Sequence, residues 1–316
     1  MKQKIKKILR PILYSALILG AIFFSACFIT YNYFPGAVEE VRTRVAFYKA
    51  DLEVKTIEAE GYSFEYIEGG SGETILFVHG FGGQKRSWLR YCKLLSSKYR
   101  VIAVDLPGHG GTPHVEGQNY DLESLTKTLH VFTKAANLEK FHLVGLSMGG
   151  GVSTVYAAHY PQDVKSLILL NPFGVITPKR SDLELHIQKG KNLFFPRSLN
   201  ELDELITYTT GKPLSIAKHF KEYLLYKMNE KKEFYAKAFD QLTQSTPVEK
   251  LLPKIQTRTL VLIGGKDQII HPSSFQIYKK LLPNARTFLI QDGTHVFVGS
   301  YFDEALEQIE AFLQAD

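Results

Sequence analysis

Cysteine is nearly absent from this 316-residue chain, which has only Cys27 and Cys92. The first lies in an apolar run and the second in a segment with helical spacing, so no disulfide joins them and the fold does not depend on oxidation. No group of His, Cys, Asp or Glu has metal-ligand spacing, and no glycine-rich phosphate loop opens a nucleotide motif. The sequence therefore implies no metal and no cofactor. Repeats and low-complexity tracts are missing too, which excludes a solenoid or a disordered arm. Acidic residues are absent before Glu39, whereas Lys2, Lys4, Lys6, Lys7 and Arg10 precede it. These five account for most of the formal charge of +6, because the rest of the chain has 33 basic residues against 32 acidic ones. An almost neutral body implies no nucleic-acid partner.

What is present begins with Pro11 to Val38, a stretch without a charged side chain that opens PILYSALILGAIFFSACFIT. Twenty residues at ~1.5 Å rise match a hydrocarbon core of ~30 Å. The basic lead predicts a single-pass anchor with its N-terminus cytoplasmic and the body on the far side, although Arg42 and Arg44 dilute the asymmetry. Phe24-Ser25-Ala26-Cys27 offers a second reading, a lipoprotein cleaved and acylated at Cys27. Either reading makes the membrane a partner.

Beyond a connector over 37–52, Glu53 to Glu60 and Tyr62 to Glu68 alternate as two short antiparallel strands. From Thr74 the pattern becomes unbroken apolar runs, TILFVHG, RVIAVDLPG, FHLVGLS, VKSLILLNP, TRTLVLIGG and ARTFLIQDG, most of them followed by helical spacing. Strands buried on both faces require such runs. The fold class is therefore α/β, a mostly parallel eight-stranded sheet with helices on both faces. Between Pro172 and Pro253 the alternation stops for about eighty residues of helical pattern, such as Asn200 to Thr210 and Ile216 to Asn229. This predicts a core over 53–171 and 254–316, interrupted after the sixth strand by a helical cap over 172–253. Its aromatics, among them Phe194, Phe220, Phe234, Tyr235 and Phe239, are read as packing residues.

Strand FHLVG runs into Gly145-Leu146-Ser147-Met148-Gly149 and then a helix, the setting in which a sharp turn presents a serine hydroxyl. Serine needs a base held in one tautomer by an acid. Asp267, 120 residues on in GGKDQII, and His295, 28 further in DGTH, follow in the order such sheets use, each at a strand's carboxyl end. Asn171 occupies another position used for the acid, and Asp292 stays open as a second candidate acid. The oxyanion needs preset donors. The backbone N–H groups of Phe81, in His79-Gly80-Phe81-Gly82-Gly83, and of Met148 are assigned that part. His79 and His109 are read as loop braces, and DLPGHG as turn chemistry at the rim.

With these residues in place the chain resembles the α/β-hydrolase superfamily from about Glu53 to Ala315. FHLVGLSMGG, YAAHYPQDVKSLILLNPFG, DLPGHGGT and GKDQII look like membrane-anchored monoacylglycerol lipases and related cold-active bacterial lipases. The resemblance implies a membrane-associated serine ester hydrolase acting on an acyl-ester or lipid substrate. It also implies Ser147 as nucleophile, Asp267 as acid, His295 as base, and Phe81 and Met148 as oxyanion donors. Ser147 argues against epoxide hydrolases and haloalkane dehalogenases, which attack with aspartate. Small-ester esterases, carbon–carbon bond hydrolases and cofactor-free haloperoxidases share the triad and stay open, as does a silent membrane-tethered binding protein.

Overall fold

The computed structural model describes the backbone of residues 2–213, 215–282 and 284–315, with the side chains of 2–13, 15–17 and 300 outside the description. Eight strands make one sheet: β1 (Glu53–Ala59), β2 (Tyr62–Gly69), β3 (Thr74–Val78), β4 (Arg100–Val104), β5 (Phe141–Leu146), β6 (Val164–Leu170), β7 (Thr259–Gly264) and β8 (Arg286–Ile290). Their spatial order is β1-β2-β4-β3-β5-β6-β7-β8. The pairs β1–β2 and β2–β4 are antiparallel, and every other pair is parallel. Helices α1 (Lys2–Tyr33) and α2 (Pro35–Lys49) precede the sheet, and α3 (Leu89–Leu95), α4 (Leu122–Ala135) and α5 (Met148–His159) connect its strands. Helices α6 (Asp182–Gln188), α7 (Leu199–Thr210), α8 (Lys218–Glu230) and α9 (Lys232–Thr243) all fall between β6 and β7, followed by α10 (Ser274–Leu281) and α11 (Ser300–Gln314).

The two-residue period of a strand divides the apolar runs between the faces. Leu76, Val78, Ile102, Val104, Leu143, Leu167 and Val261 pack with Leu129 and Phe132 of α4, Val152 and Tyr156 of α5, and Tyr278 of α10. The intervening Ile75, Phe77, Val101, Val144, Ile168 and Leu260 pack with Trp88, Leu95 of α3, and Phe302 and Phe312 of α11. Each fully buried large side chain contributes roughly 1.5–3 kcal/mol, so helices on both faces are a condition of the sheet's stability. Side-chain caps set several helix starts. Asp121 accepts from Ser124 N at 2.9 Å ahead of α4, and Ser181 and Glu184 form a reciprocal box ahead of α6. Helix α8 begins at Lys218, two residues after the start its apolar spacing predicts.

The apolar N-terminal run forms α1 and breaks at Phe34. Pro35, which lacks an N–H, cannot continue the helix and instead opens α2. The side chains of Lys2, Lys4, Lys6, Lys7 and Arg10 and the start of the run lie outside the described residues. Among the described residues no single helix is long and apolar enough to cross a membrane; Ile18–Tyr33 and Pro35–Lys49 meet that test only as a pair, bent by 102°. Cys27 is exposed and unbridged, and Cys92 is buried.

A buried ionic knot fixes the loops after β3 and β4. Lys85, with 7% of its side chain exposed, bonds Asp105 Oδ2 at 2.7 Å and also reaches Glu65. Asp105 further accepts from the backbone N–H of Lys85 and from that of Gly111 at 2.8 Å. Burial alone would lower the Lys85 ammonium, but Asp105 and Glu65 outweigh it and hold it above the ordinary lysine value. Removing one partner strands the other in a dry site. Asp105→Ala should therefore cost ~3–5 kcal/mol, read as a drop in the denaturant midpoint.

Candidate active site

Parallel pairing aligns Val78 with Gly145, Leu146 with Leu170, Leu170 with Leu262, and Gly264 with Ile290. The segments that leave the sheet beyond these residues, starting at His79, Ser147, Asn171, Gly265 and Gln291, consequently share one edge.

Ser147 stands between β5 and α5 at φ 54° and ψ −120°, a conformation that costs a non-glycine residue of order 1–3 kcal/mol. Its surroundings enforce it. The Ser147 N–H donates to Leu170 O at 3.0 Å, and its carbonyl accepts from Gly151 N at 3.0 Å and Phe173 N at 2.9 Å. Side chains at the flanking glycines are shut out, because a Cβ on Gly145 would lie 2.2 Å from Gly149 O and one on Gly149 2.2 Å from Val78 O. The loop after β3 passes directly over the serine, with the Cβ position of Gly80 3.2 Å from Ser147 Cβ. Phe81 follows in that loop. Met148 opens α5, so its N–H has no intrahelical acceptor and points from a helix N-terminus.

Asp267 and His295 meet across β7 and β8. Asp267 Oδ2 accepts from His295 Nδ1 at 2.8 Å, and its Oδ1 accepts from the N–H groups of Ile269 at 2.8 Å and Ile270 at 3.0 Å. Both residues are 4% exposed. A carboxylate only accepts, so the proton resides on Nδ1 and Nε2 is left as the basic nitrogen. His295 makes no hydrogen bond to the Ser147 hydroxyl among the described residues. Asp292, the second candidate acid, instead pairs at the surface with Lys266 at 2.7 Å.

Asn171, legible in the sequence only as an uncharged residue at an acid's position, acts as a clamp. It is 1% exposed, and its Nδ2 donates to His295 O at 2.8 Å and Thr294 O at 3.1 Å while its Oδ1 accepts from Gly264 N at 2.7 Å. One side chain thus fastens the ends of β6 and β7 to the histidine's backbone. A polar residue directly after a buried apolar run was the available signal.

His79 and His109 are loop braces. The His79 ring accepts from Leu106 N at 3.0 Å through Nε2 and so donates from Nδ1 to Gly80 O at 2.8 Å, tying the Phe81 loop to the one after β4. His109 Nδ1 bonds Pro107 O at 3.0 Å. Burial lowers both imidazoles, and with His79 alongside it pushes His109 down to about 3. Aromatics read from the sequence as packing residues pack in part on this loop: the Phe81 ring centroid lies 5.5 Å from those of Phe194 and Tyr235 and 5.4 Å from that of Phe239. An apolar wall thereby stands above the serine's loop.

A family model described as the alpha/beta hydrolase fold matches residues 73–299, and the chain belongs to that family. It is an ester hydrolase within it. The chain is 33% identical to Lipase 1 of Psychrobacter immobilis over 273 residues, covering 84% of this chain and 85% of that one. It is 29% identical to the monoacylglycerol lipase ABHD6 of Bos taurus over 262 residues, 78% of each. A membrane phospholipase A, described as a bacterial virulence factor, superposes with a TM-score of 0.85 at 29% identity, covering 95% of this chain and 98% of that one.

Asn171→Ala leaves a buried N–H and two carbonyls without their partner. It should lower stability by about 1–3 kcal/mol per stranded group, read as a shift in the denaturation midpoint. The buried imidazoles set a pH dependence as well. The unfolded chain takes up their protons near pH ~6.5 while the folded protein does not, so stability is full above that value and falls as pH drops toward about 3. His109→Gln should flatten that acid-side decline in midpoints measured against pH.

Proposed function

We propose that the chain is a membrane-associated serine hydrolase that cleaves monoacylglycerols or similar acyl esters through Ser147, His295 and Asp267. The observation that carries the reading is the buried 2.8 Å bond from His295 to Asp267, whose other oxygen is held by two backbone N–H groups. Asp267 fixes the ring so that Nε2 removes the Ser147 proton as Oγ attacks the ester carbon. The oxyanion then accepts from the N–H groups of Phe81 and Met148, a term worth ~10²–10³ in rate for a single donor. The imidazolium returns its proton to the departing alkoxide, leaving an acyl-serine. Water adds in the same way, and the carboxylic acid leaves with Ser147 restored.

An acyl chain suits the wall of Phe81, Phe194, Tyr235 and Phe239, because apolar ligands bind where hydrophobic and aromatic side chains remove them from water. In this reading residues 172–253 form a cap over a core made of 53–171 and 254–316. Residues 1–36 hold the chain in a bilayer with the basic lead cytoplasmic and the catalytic body outside. The likeness to lipases, monoacylglycerol lipases and a membrane phospholipase supports the substrate class and the location.

A fluorophosphonate probe should label the wild type and not Ser147→Ala. Equal labelling of both would move the nucleophile elsewhere, and an unlabelled wild type would overturn the mechanism. His295→Ala and Asp267→Asn should each lower kcat by orders of magnitude, on the scale of ~10⁴ for loss of the orienting acid. Long-chain monoacylglycerols should be hydrolysed faster than short soluble esters; the opposite order would remove the lipid assignment.

A further inference from the structure

The face of α2 turned away from the protein presents Phe34, Ala37, Val41, Val45 and Tyr48. Their spacing of three and four residues sets them in one line, ~21 Å long at the rise of a helix. The line is bare: Phe34 is 57%, Val41 59%, Val45 43% and Tyr48 85% exposed. Exposed Glu40, Arg42, Arg44 and Lys49 border it, a surplus of cations. The opposite face is already engaged, since Phe47 is buried in the core, Glu39 pairs with Arg86, and Arg86 also bonds Thr43 Oγ1 at 3.0 Å. Helix α2 therefore cannot roll its apolar line inward.

What lies at its start points to the occupant. Helix α1, with exposed Ile18, Ile22, Phe24 and Phe28, meets α2 at 102°. If α1 stands across a bilayer, that bend lays α2 within about 12° of the membrane plane. We propose that α2 rests in the headgroup–acyl boundary of the bilayer that holds α1, with Val41, Val45 and Tyr48 in lipid and the flanking cations among phosphates. The inference rests on the membrane association proposed above. Continuity favours lipid over a second copy of the helix: the line begins at Phe34, directly after α1, so the bilayer that surrounds α1 reaches it first, while Arg42 and Arg44 are paired within α2, with Glu39 at 3.8 Å and Glu40 at 2.7 Å. Tyrosine at the end of the line also suits the interface. Because Tyr31 stacks edge-on against Phe220, with centroids 5.4 Å apart, and Gly36 lies against the Tyr223 ring, α8 fills the elbow between α1 and α2. Seating α2 thus holds the helical segment over the active site in one orientation against the lipid.

The test uses the full chain with Cys27→Ser, reconstituted in phosphatidylcholine–phosphatidylglycerol vesicles and labelled with an environment-sensitive fluorophore; buried Cys92 escapes labelling. A label on Val45→Cys should be blue-shifted, quenched by a shallow nitroxide lipid and shielded from aqueous iodide, while one on Ser97→Cys behaves oppositely. Iodide access at position 45, with an Ile22→Cys label still quenched by a deep nitroxide lipid, would overturn the seating of α2 but leave the membrane reading standing. Without quenching at Ile22→Cys the membrane reading itself fails, and with it this inference. Energy transfer between position-45 labels on different copies would assign the face to self-association instead. In the unlabelled protein, Val41→Glu with Val45→Glu should lower hydrolysis of a vesicle-borne long-chain ester several-fold and spare a soluble short ester.

Discussion

The backbone turn at Ser147 constrains more of this molecule than any other feature. Its dihedral angles are unfavourable for a serine, so they persist only where neighbours leave no alternative. Three backbone hydrogen bonds hold the turn, two of them reaching the end of β6 and the residues just beyond it. The flanking glycines bring α5 hard against the ends of β3 and β5. That closeness in turn sets the Phe81 loop over the serine, and the His79 ring and the Lys85–Asp105 pair lock the loop from behind. The energy stored at one residue is thus offset across the whole carboxyl edge of the sheet.

Much of this was legible in the sequence, and for identifiable reasons. Strands buried on both faces must be written as unbroken apolar runs, so β3 to β7 stood out; β8 carries a similar run although it lies at the edge and is only partly buried, and alternation marked β1 and β2 at the antiparallel edge. The serine's turn was legible because close backbone approach demands glycine at fixed offsets. Asp267 and His295 were visible only as an order along the chain and as residues at strand ends. Their contact, and the surface pairing of Asp292 with Lys266, depend on how two loops fold back.

What stayed hidden were pairings between segments far apart in the chain. Periodicity says that Phe194, Tyr235 or Phe239 faces something apolar, but not that the something is Phe81. Lys85 looks like any surface lysine until Glu65 and Asp105 are folded around it. The elbow at Phe34 is written locally, in a single proline, yet its angle and the helix that fills it come from tertiary packing. Local sequence thus marks the elements, and long-range contacts decide what they are for.

Asn171 closes off a route in sequence space. The position after β6 is another place where an acid can serve a histidine, and a single base change converts either Asn codon to one for Asp. Here both amide hydrogens are committed to carbonyls, one of them the histidine's own, and a carboxylate would turn bare oxygen toward them. Moving the proposed acid to that position would therefore weaken the backbone that carries the proposed base at the step meant to reassign its partner. The two positions would have to change together or not at all, which ties the proposed acid to the end of β7.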